Sequence, residues 1–226
     1  MKVSKRLKDK VIHLNHLLLK RYGRQGWWPT TREAGRPPVY FPEKEGRVVS
    51  DADAFEIIVG SILTQNNTWS NAEKALMNLS GKGLLTIQAM AQATPDAIAA
   101  EIVPARYYNQ KSTRLVAIAN HILHLDGIKP LRHMPTETLR NLLLSWTGVG
   151  KETADSILCY AFSRGIFVVD AYTRRLFQKL SLPHGSYEEI QTLVHQSIAP
   201  AAAEYGDFHA RIVKLYATGD EKTFTL

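Results

Sequence analysis

The sequence contains almost no cysteine. Cys159 stands alone among 226 residues, so no intrachain disulfide can form, which suits a reducing cytosol. A metal site built on four thiolates is excluded on the same count. Cys159 falls inside a helical pattern beside its buried face, where a core thiol is expected rather than a nucleophile. Long hydrophobic runs are also missing: none approaches the ~20 residues needed to cross a bilayer, so no membrane partner is expected. Internal repeats, low-complexity tracts and strand-hairpin patterns are absent too. Acid is in deficit, with 21 Asp and Glu against 28 Lys and Arg, a net charge of +7 and a pI near 9.5. Such an excess of base points to a polyanionic partner.

What is present is helical. The basic start MKVSKRLKDKVIHLNHLLLKRYG carries Leu7, Val11, Leu14, Leu18 and Leu19 at helical spacing and lacks a small-residue cleavage site. It reads as a helix over Val3–Tyr22 closed by Gly23, not as a signal peptide. Gly26–Gly46 has three Gly, four Pro and four aromatics and no period, so it is a long loop; the adjacent Trp27 and Trp28 argue for order in it. They either plug a seam between domains or face a ligand. Helices then follow over Asp53–Leu63 (apolar nearly all round, hence central), Asn71–Leu79, Thr86–Ala91, Pro95–Ile102 with Thr94 as cap, Asn109–Leu125 and Thr136–Trp146. Ala171–Leu180, Tyr187–Ile198 behind the capping box Ser186–Glu189, and Ala201–Ala217 complete the chain. About ten helices and no credible strand pair make the fold all-α.

The stretch Leu142–Asp170, LLLSWTGVGKETADSILCYAFSRGIFVVD, concentrates the chemistry. One helix ends at Trp146. Thr147-Gly148-Val149-Gly150 is too rich in glycine to continue it and forms a tight hairpin. A second helix, Lys151–Arg164, buries Ala154, Ile157, Leu158, Ala161 and Phe162 on one face. Gly148 and Gly150 leave backbone N–H groups bare at a positive helix end, a site for a phosphate oxygen. Lys151 adds charge and Thr153 a hydroxyl. The short apolar run Ile166–Val169 then delivers one carboxylate, Asp170, to the start of the next helix. Asp170 is either its N-cap or a functional acid, and the two roles are compatible.

Helix–TGVG–K–x–T–A–helix followed by VVDAYTRR resembles the helix-hairpin-helix DNA glycosylases of the endonuclease III superfamily. Gly60–Trp69 (GSILTQNNTW) and Tyr107-Tyr108-Asn109-Gln110-Lys111 extend the resemblance over about residues 51–213. It implies two helical domains with a cleft between them: 51–164, a six-helix block containing the hairpin, and 1–50 with 165–226, formed by both chain ends. It implies a partner, double-stranded DNA carrying a damaged base, bound by a monomer in the cytoplasm at the nucleoid. Many relatives carry four C-terminal cysteines that bind an iron–sulfur cluster; His209–Ala217 has none, so no such cluster and no other cofactor is expected. Main-chain carbonyls of Leu144, Trp146 and Val149 match those that hold a monovalent cation in the family.

The resemblance also assigns roles. A base inside a duplex must be swung out before chemistry. Gln65 matches the gap-filling position, with Asn66 and Asn67 beside it; the bland reading is a turn-capping cluster. Asp170 matches the catalytic carboxylate, which stabilises an oxocarbenium-like sugar and orients or deprotonates water. Bifunctional relatives place a Schiff-base lysine two residues after the last hairpin glycine. Here that position is Glu152, which cannot form an imine, and Lys151 lies one residue early, about 100° round the helix. Base hydrolysis without strand cleavage is expected. Trp27, Trp28 and Trp69 suit a cationic alkylated purine, on which electron-rich rings stack. With the lysine–glutamate pair after the hairpin, they look like the cluster-free 3-methyladenine glycosylases of this superfamily. Trp69 alternatively staples the start of Asn71–Leu79. Lys111, Arg114, Arg174 and Arg175 are further candidate phosphate contacts or plain surface charges. Two alternatives stay open: a glycosylase for uracil, thymine mismatches or oxidised pyrimidines, and a non-catalytic helix-hairpin-helix DNA-binding module.

Overall fold

The structure is a computed structural model and describes residues 3–42 and 49–226. The end of the Gly26–Gly46 loop lies outside the described residues. The chain forms two units: Met1–Trp27 with Phe41–Arg47 and Ser163–Leu226, and Trp28–Tyr40 with Val48–Phe162. Among the described residues the secondary structure is helical apart from an isolated antiparallel bridge between Thr30 and Val39.

The first unit opens with α1 (Lys5–Tyr22), which Ser4 caps and Gly23 ends at φ 66°. The second unit holds α2 (Asp51–Leu63), α3 (Trp69–Gly81), α4 (Ile87–Gln92), α5 (Pro95–Glu101), α6 (Tyr108–His124), α7 (Ile128–His133), α8 (Thr136–Ser145) and α9 (Lys151–Ser156). α2 is the centre: every residue from Asp53 to Leu63 is buried. Its cap is Ser50, whose hydroxyl accepts from the Asp53 amide while the Asp53 carboxylate accepts from the Ser50 amide. α7 was not legible in the sequence, because six residues show no period; Gly127, at φ 97°, begins it.

α9 is shorter than the expected Lys151–Arg164 helix. It passes into a π turn, Ile157–Ala161, with all five residues buried. A π turn inserts about one residue per turn, which rotates the apolar face and brings Cys159 and Tyr160 inward with Ile157 and Leu158. Arg140 on α8 clamps Asp155 on α9 through two parallel bonds, 2.7 and 3.2 Å, so the two arms of the hairpin are fixed by a forked ion pair.

Residues 28–40 belong with the hairpin-bearing unit, for visible reasons. Glu56 of α2 accepts from the Thr31 amide and hydroxyl at 2.8 Å, Arg32 pairs with Asp53 at 3.1 Å, and the Gly35 amide donates to Ser80. The other unit continues from Ser163 through extended residues into α10 (Ala171–Lys179), α11 (Tyr187–Ser197) and α12 (Ala202–Ala217). Buried Arg211 on α12 joins Asn15 of α1 at 2.8 Å and Asp207 at 2.9 Å; Asp207 also accepts from the Gln25 amide. Tyr22 and Arg21 hold Asp220 at 2.7 and 3.0 Å. The C-terminal segment is thus fastened to α1 by a polar network.

Candidate active site and nucleic-acid interface

Asp170 is both cap and candidate acid. The run Phe167–Val169 is extended and buried, held at Phe167, whose amide donates to His195 Nε2 at 2.9 Å and whose carbonyl accepts from Gln191 at 2.8 Å. This fixes the strand-like lead into α10. Asp170 Oδ1 accepts from the Thr173 amide at 2.7 Å, and Oδ2 lies 3.5 Å from His209 Nε2 on α12. The carboxyl is 13 % exposed and the imidazole 8 %. Burial by itself pushes the Asp170 carboxyl up. The neighbouring His209 imidazole first, then the Thr173 amide, outweigh it and hold the group below the ordinary carboxylate value. An ionised, rigid carboxylate with a narrow opening to solvent can stabilise a nearby positive charge or accept a proton from water. His209 is the residue that sequence reading missed as a partner: it lies 39 positions from Asp170 on another helix, and no spacing rule links them.

In the second unit the hairpin Trp146–Gly150 follows the expected turn. Gly148 has φ 80°, and a Cβ on it would lie 2.4 Å from Arg114 Nε. Gly150 is ordinary extended backbone at φ −96°, and a Cβ there would meet nothing within 4 Å. Gly148 is therefore demanded by the fold, whereas Gly150 leaves the start of α9 uncovered. Lys151 and Glu152 are exposed in the first turn of α9. Thr153 is buried and its hydroxyl accepts from Gln65 Nε2 at 2.9 Å, so it serves Gln65 rather than presenting itself for phosphate. The same Gln65 amide donates to the Gly148 carbonyl at 2.9 Å, and Arg114 approaches its Oε1 at 3.4 Å. The side chain matched to gap filling is folded onto the hairpin. Asn66 beside it is exposed at φ 49°, a left-handed turn position. Leu144, Trp146 and Val149 set three carbonyls within one six-residue turn; the Trp146 oxygen also accepts from the Val149 amide at 3.0 Å. Main-chain oxygens are the donors a hard cation takes, so these residues fit the implied monovalent ion.

Two of the three expected rings, Trp28 and Trp69, lie together in the second unit. Trp28 and Trp69 meet edge to face at 5.6 Å, and the third ring is Tyr160 of the π turn, 5.5 Å from Trp28. Trp27 is half-buried and belongs to the other unit. Trp28 lies against Gly60 so closely that a Cβ would sit 3.0 Å from its ring. Trp69 is the first residue of α3, after the cap Thr68. It is not a staple preceding that helix.

Two of the candidate cations, buried Lys111 and half-buried Arg174, are engaged by the protein's own carbonyls. Lys111 is 2 % exposed, and its ammonium donates to the carbonyls of Leu63, Gln65 and Ala105. A helix start facing the end of α2 meets orphan carbonyls rather than solvent. Arg174 donates to the Gly185 carbonyl at 3.0 Å with Tyr187 beneath it. Arg175 is exposed and lies over Tyr172, which stacks on Tyr216 at 4.9 Å.

The comparisons agree with this geometry. Residues 59–200 match the model of the HhH-GPD superfamily base excision DNA repair proteins. A Methanocaldococcus jannaschii protein, provisionally named a DNA repair glycosylase, is 35% identical over 91% of this chain and 86% of its own length. Endonuclease III of Thermotoga maritima is 26% identical over 73% of this chain and 76% of its own. The crystal structure of H. pylori 3-methyladenine DNA glycosylase bound to 1,N6-ethenoadenine superposes with a TM-score of 0.73 at 26% identity, covering 94% of this chain and 98% of that one. The all-helical fold, the hairpin and the sequence match together establish that the chain belongs to the HhH-GPD superfamily of base excision DNA repair proteins.

Proposed function

We propose that this chain, a base excision DNA repair glycosylase by family, removes alkylated purines of the 3-methyladenine type by hydrolysis and does not cleave the strand. The observation that carries the reading is Asp170. It accepts from the Thr173 amide, has His209 behind it, is held below the ordinary carboxylate value and is nearly enclosed, as suits a group stabilising an oxocarbenium-like sugar. Water attacks the anomeric carbon while the N-glycosidic bond breaks and its electron pair leaves with the base; Asp170 takes the proton of that water. A cationic alkylated purine leaves without acid catalysis, and electron-rich rings favour it. The Trp28–Trp69–Tyr160 cluster supplies such rings, and Trp27 is proposed to add another. Glu152 at the Schiff-base position supports hydrolysis alone. The bare start of α9 at Gly150, with exposed Lys151, is proposed to grip backbone phosphate, aided by a monovalent cation at the Leu144, Trp146 and Val149 carbonyls. Gln65 and Asn66 are proposed to enter the gap left by the flipped nucleotide, with the protein acting as a monomer.

The test is base release from a duplex carrying alkylated purines, beside a uracil-mismatch duplex, each read with and without hot alkali. Release from the alkylated duplex, with cuts only after alkali, supports the reading. Cuts without alkali would return the argument to Lys151. Release from the mismatch duplex alone would keep Asp170 and remove the tryptophan argument.

A further inference from the structure

The Lys111 ammonium is fully used. Its three protons go to Leu63 O at 2.9 Å, Gln65 O at 2.8 Å and Ala105 O at 2.6 Å. An ammonium has three donors and no acceptor, so none is left for a phosphate. Two of the acceptors close the C-terminal end of α2, where helix carbonyls lack partners and a cation is favoured. The third belongs to a different turn, Val103–Ala105, just before α6. Both turns are strained. Asn66 has φ 49°, and Arg106 and Tyr107 have φ 47° and 49° in succession. Side chains other than glycine rarely hold this left-handed shape, and consecutive cases persist only where surroundings over-determine them. Both turns also carry groups to the outside: Asn66 is exposed beside Gln65, and Tyr107 is 64% exposed. Packing alone does not require a charge at this place. A methionine fills the same volume.

We propose that Lys111 is a positioning residue for DNA engagement: its ammonium ties the Gln65 turn to the Tyr107 turn and holds both in the shape that meets an opened duplex. This rests on the reading of Gln65 as the gap-filling side chain. Protonation is then the control. Burial first, and the charge of Arg114 on the same helix second, push Lys111 down to about 8. From α2 and from Val103–Ala105 it meets main-chain oxygens. The carboxylates of α2 (Asp51, Asp53, Glu56) and α5 (Asp96, Glu101) are not among the charges acting on it, and α4 carries no titratable side chain. Below pH 8 three bonds hold the turns. Above it a neutral amine offers two, and the clamp loosens.

The experiment measures the affinity of full-length protein for two labelled duplexes, one holding a tetrahydrofuran abasic analogue and one undamaged, from pH 6.5 to 9.5. Wild type, Lys111→Met and Lys111→Arg are compared, with folding checked by circular dichroism. The wild-type preference for the abasic duplex should fall about tenfold with a midpoint near pH 8. In Lys111→Met it should be low at every pH while undamaged-duplex affinity is kept, and in Lys111→Arg the pH step should vanish. A folded Lys111→Met with the wild-type preference, a step surviving in Lys111→Arg, or a wild-type preference flat from pH 7 to 9 would each overturn the inference. Should neither substitution fold, the wild-type profile decides: a step near 8 supports the clamp, and a flat profile refutes it. A wild type showing no preference at any pH would instead remove the Gln65 reading itself.

Discussion

Replacing the two hairpin glycines by alanine one at a time separates fold from function. At Gly148 the new methyl forces a φ of 80° on a residue with a Cβ, which costs about 1–2 kcal/mol. The methyl would also stand 2.4 Å from Arg114 Nε and 2.5 Å from its Cζ. Arg114 is long and can swing aside, so the steric part is small, but its approach to Gln65 Oε1 is lost, roughly another 0.5 kcal/mol. The sum is about 2 kcal/mol. For a chain of this size each kcal/mol moves the melting temperature about 2–4 °C, so Gly148→Ala should melt roughly 4–8 °C below wild type. At Gly150 the backbone is extended and the methyl meets nothing within 4 Å. Gly150→Ala should melt within about 1 °C of wild type, in line with an ordinary surface change. It should nevertheless bind DNA several-fold more weakly, because the methyl covers the amides proposed to face phosphate. Scanning calorimetry and anisotropy on the same preparations give both readings. Equal melting of the two variants, or full DNA affinity in Gly150→Ala, would refute the reasoning.

Asp170→Asn should abolish base release while DNA binding stays or tightens; equal release by mutant and wild type in single-turnover assays would sink the catalytic assignment. Because Asp170 is held below the ordinary carboxylate value, its contribution to stability is complete above about pH 4 and is lost only as pH falls through its depressed value. His209→Gln removes the charge that offsets burial, so the acid limb of the single-turnover rate should move to higher pH; an unmoved limb would exclude His209 as the electrostatic partner. Arg140→Met leaves the buried Asp155 carboxylate without its forked partner and should cost about 3–5 kcal/mol, read as a shifted denaturant midpoint at unchanged slope. Cys159, buried and pushed up to about 12 by burial and then by Asp155, should resist alkylation at pH 8 until the chain unfolds, and rapid labelling of native protein would contradict that burial.

Much of the molecule is written in local pattern. Period and caps placed most of the helices, as with Ser186 before α11 and Thr94 before α5, because those signals involve residues three or four apart. Glycine spacing placed the hairpin, and a carboxylate closing an extended apolar run placed Asp170, since a turn and a cap are decided by their own few residues. Absence was equally informative, as one cysteine rules out a thiolate cluster whatever the fold. The tertiary structure alone decided what these groups touch. The π turn that brings Tyr160 to Trp28 arises where packing against α2 outweighs regular helix geometry, and a single sequence carries no period for it. Lysine is usually a surface charge; the end of α2, 46–48 residues away in sequence, supplies two of the three carbonyls that draw Lys111 inside, and the turn at Ala105 the third. His209 reaches Asp170 for the same reason: hydrogen bonds and burial act over a few ångströms in space, and local spacing is blind to neighbours that folding brings together.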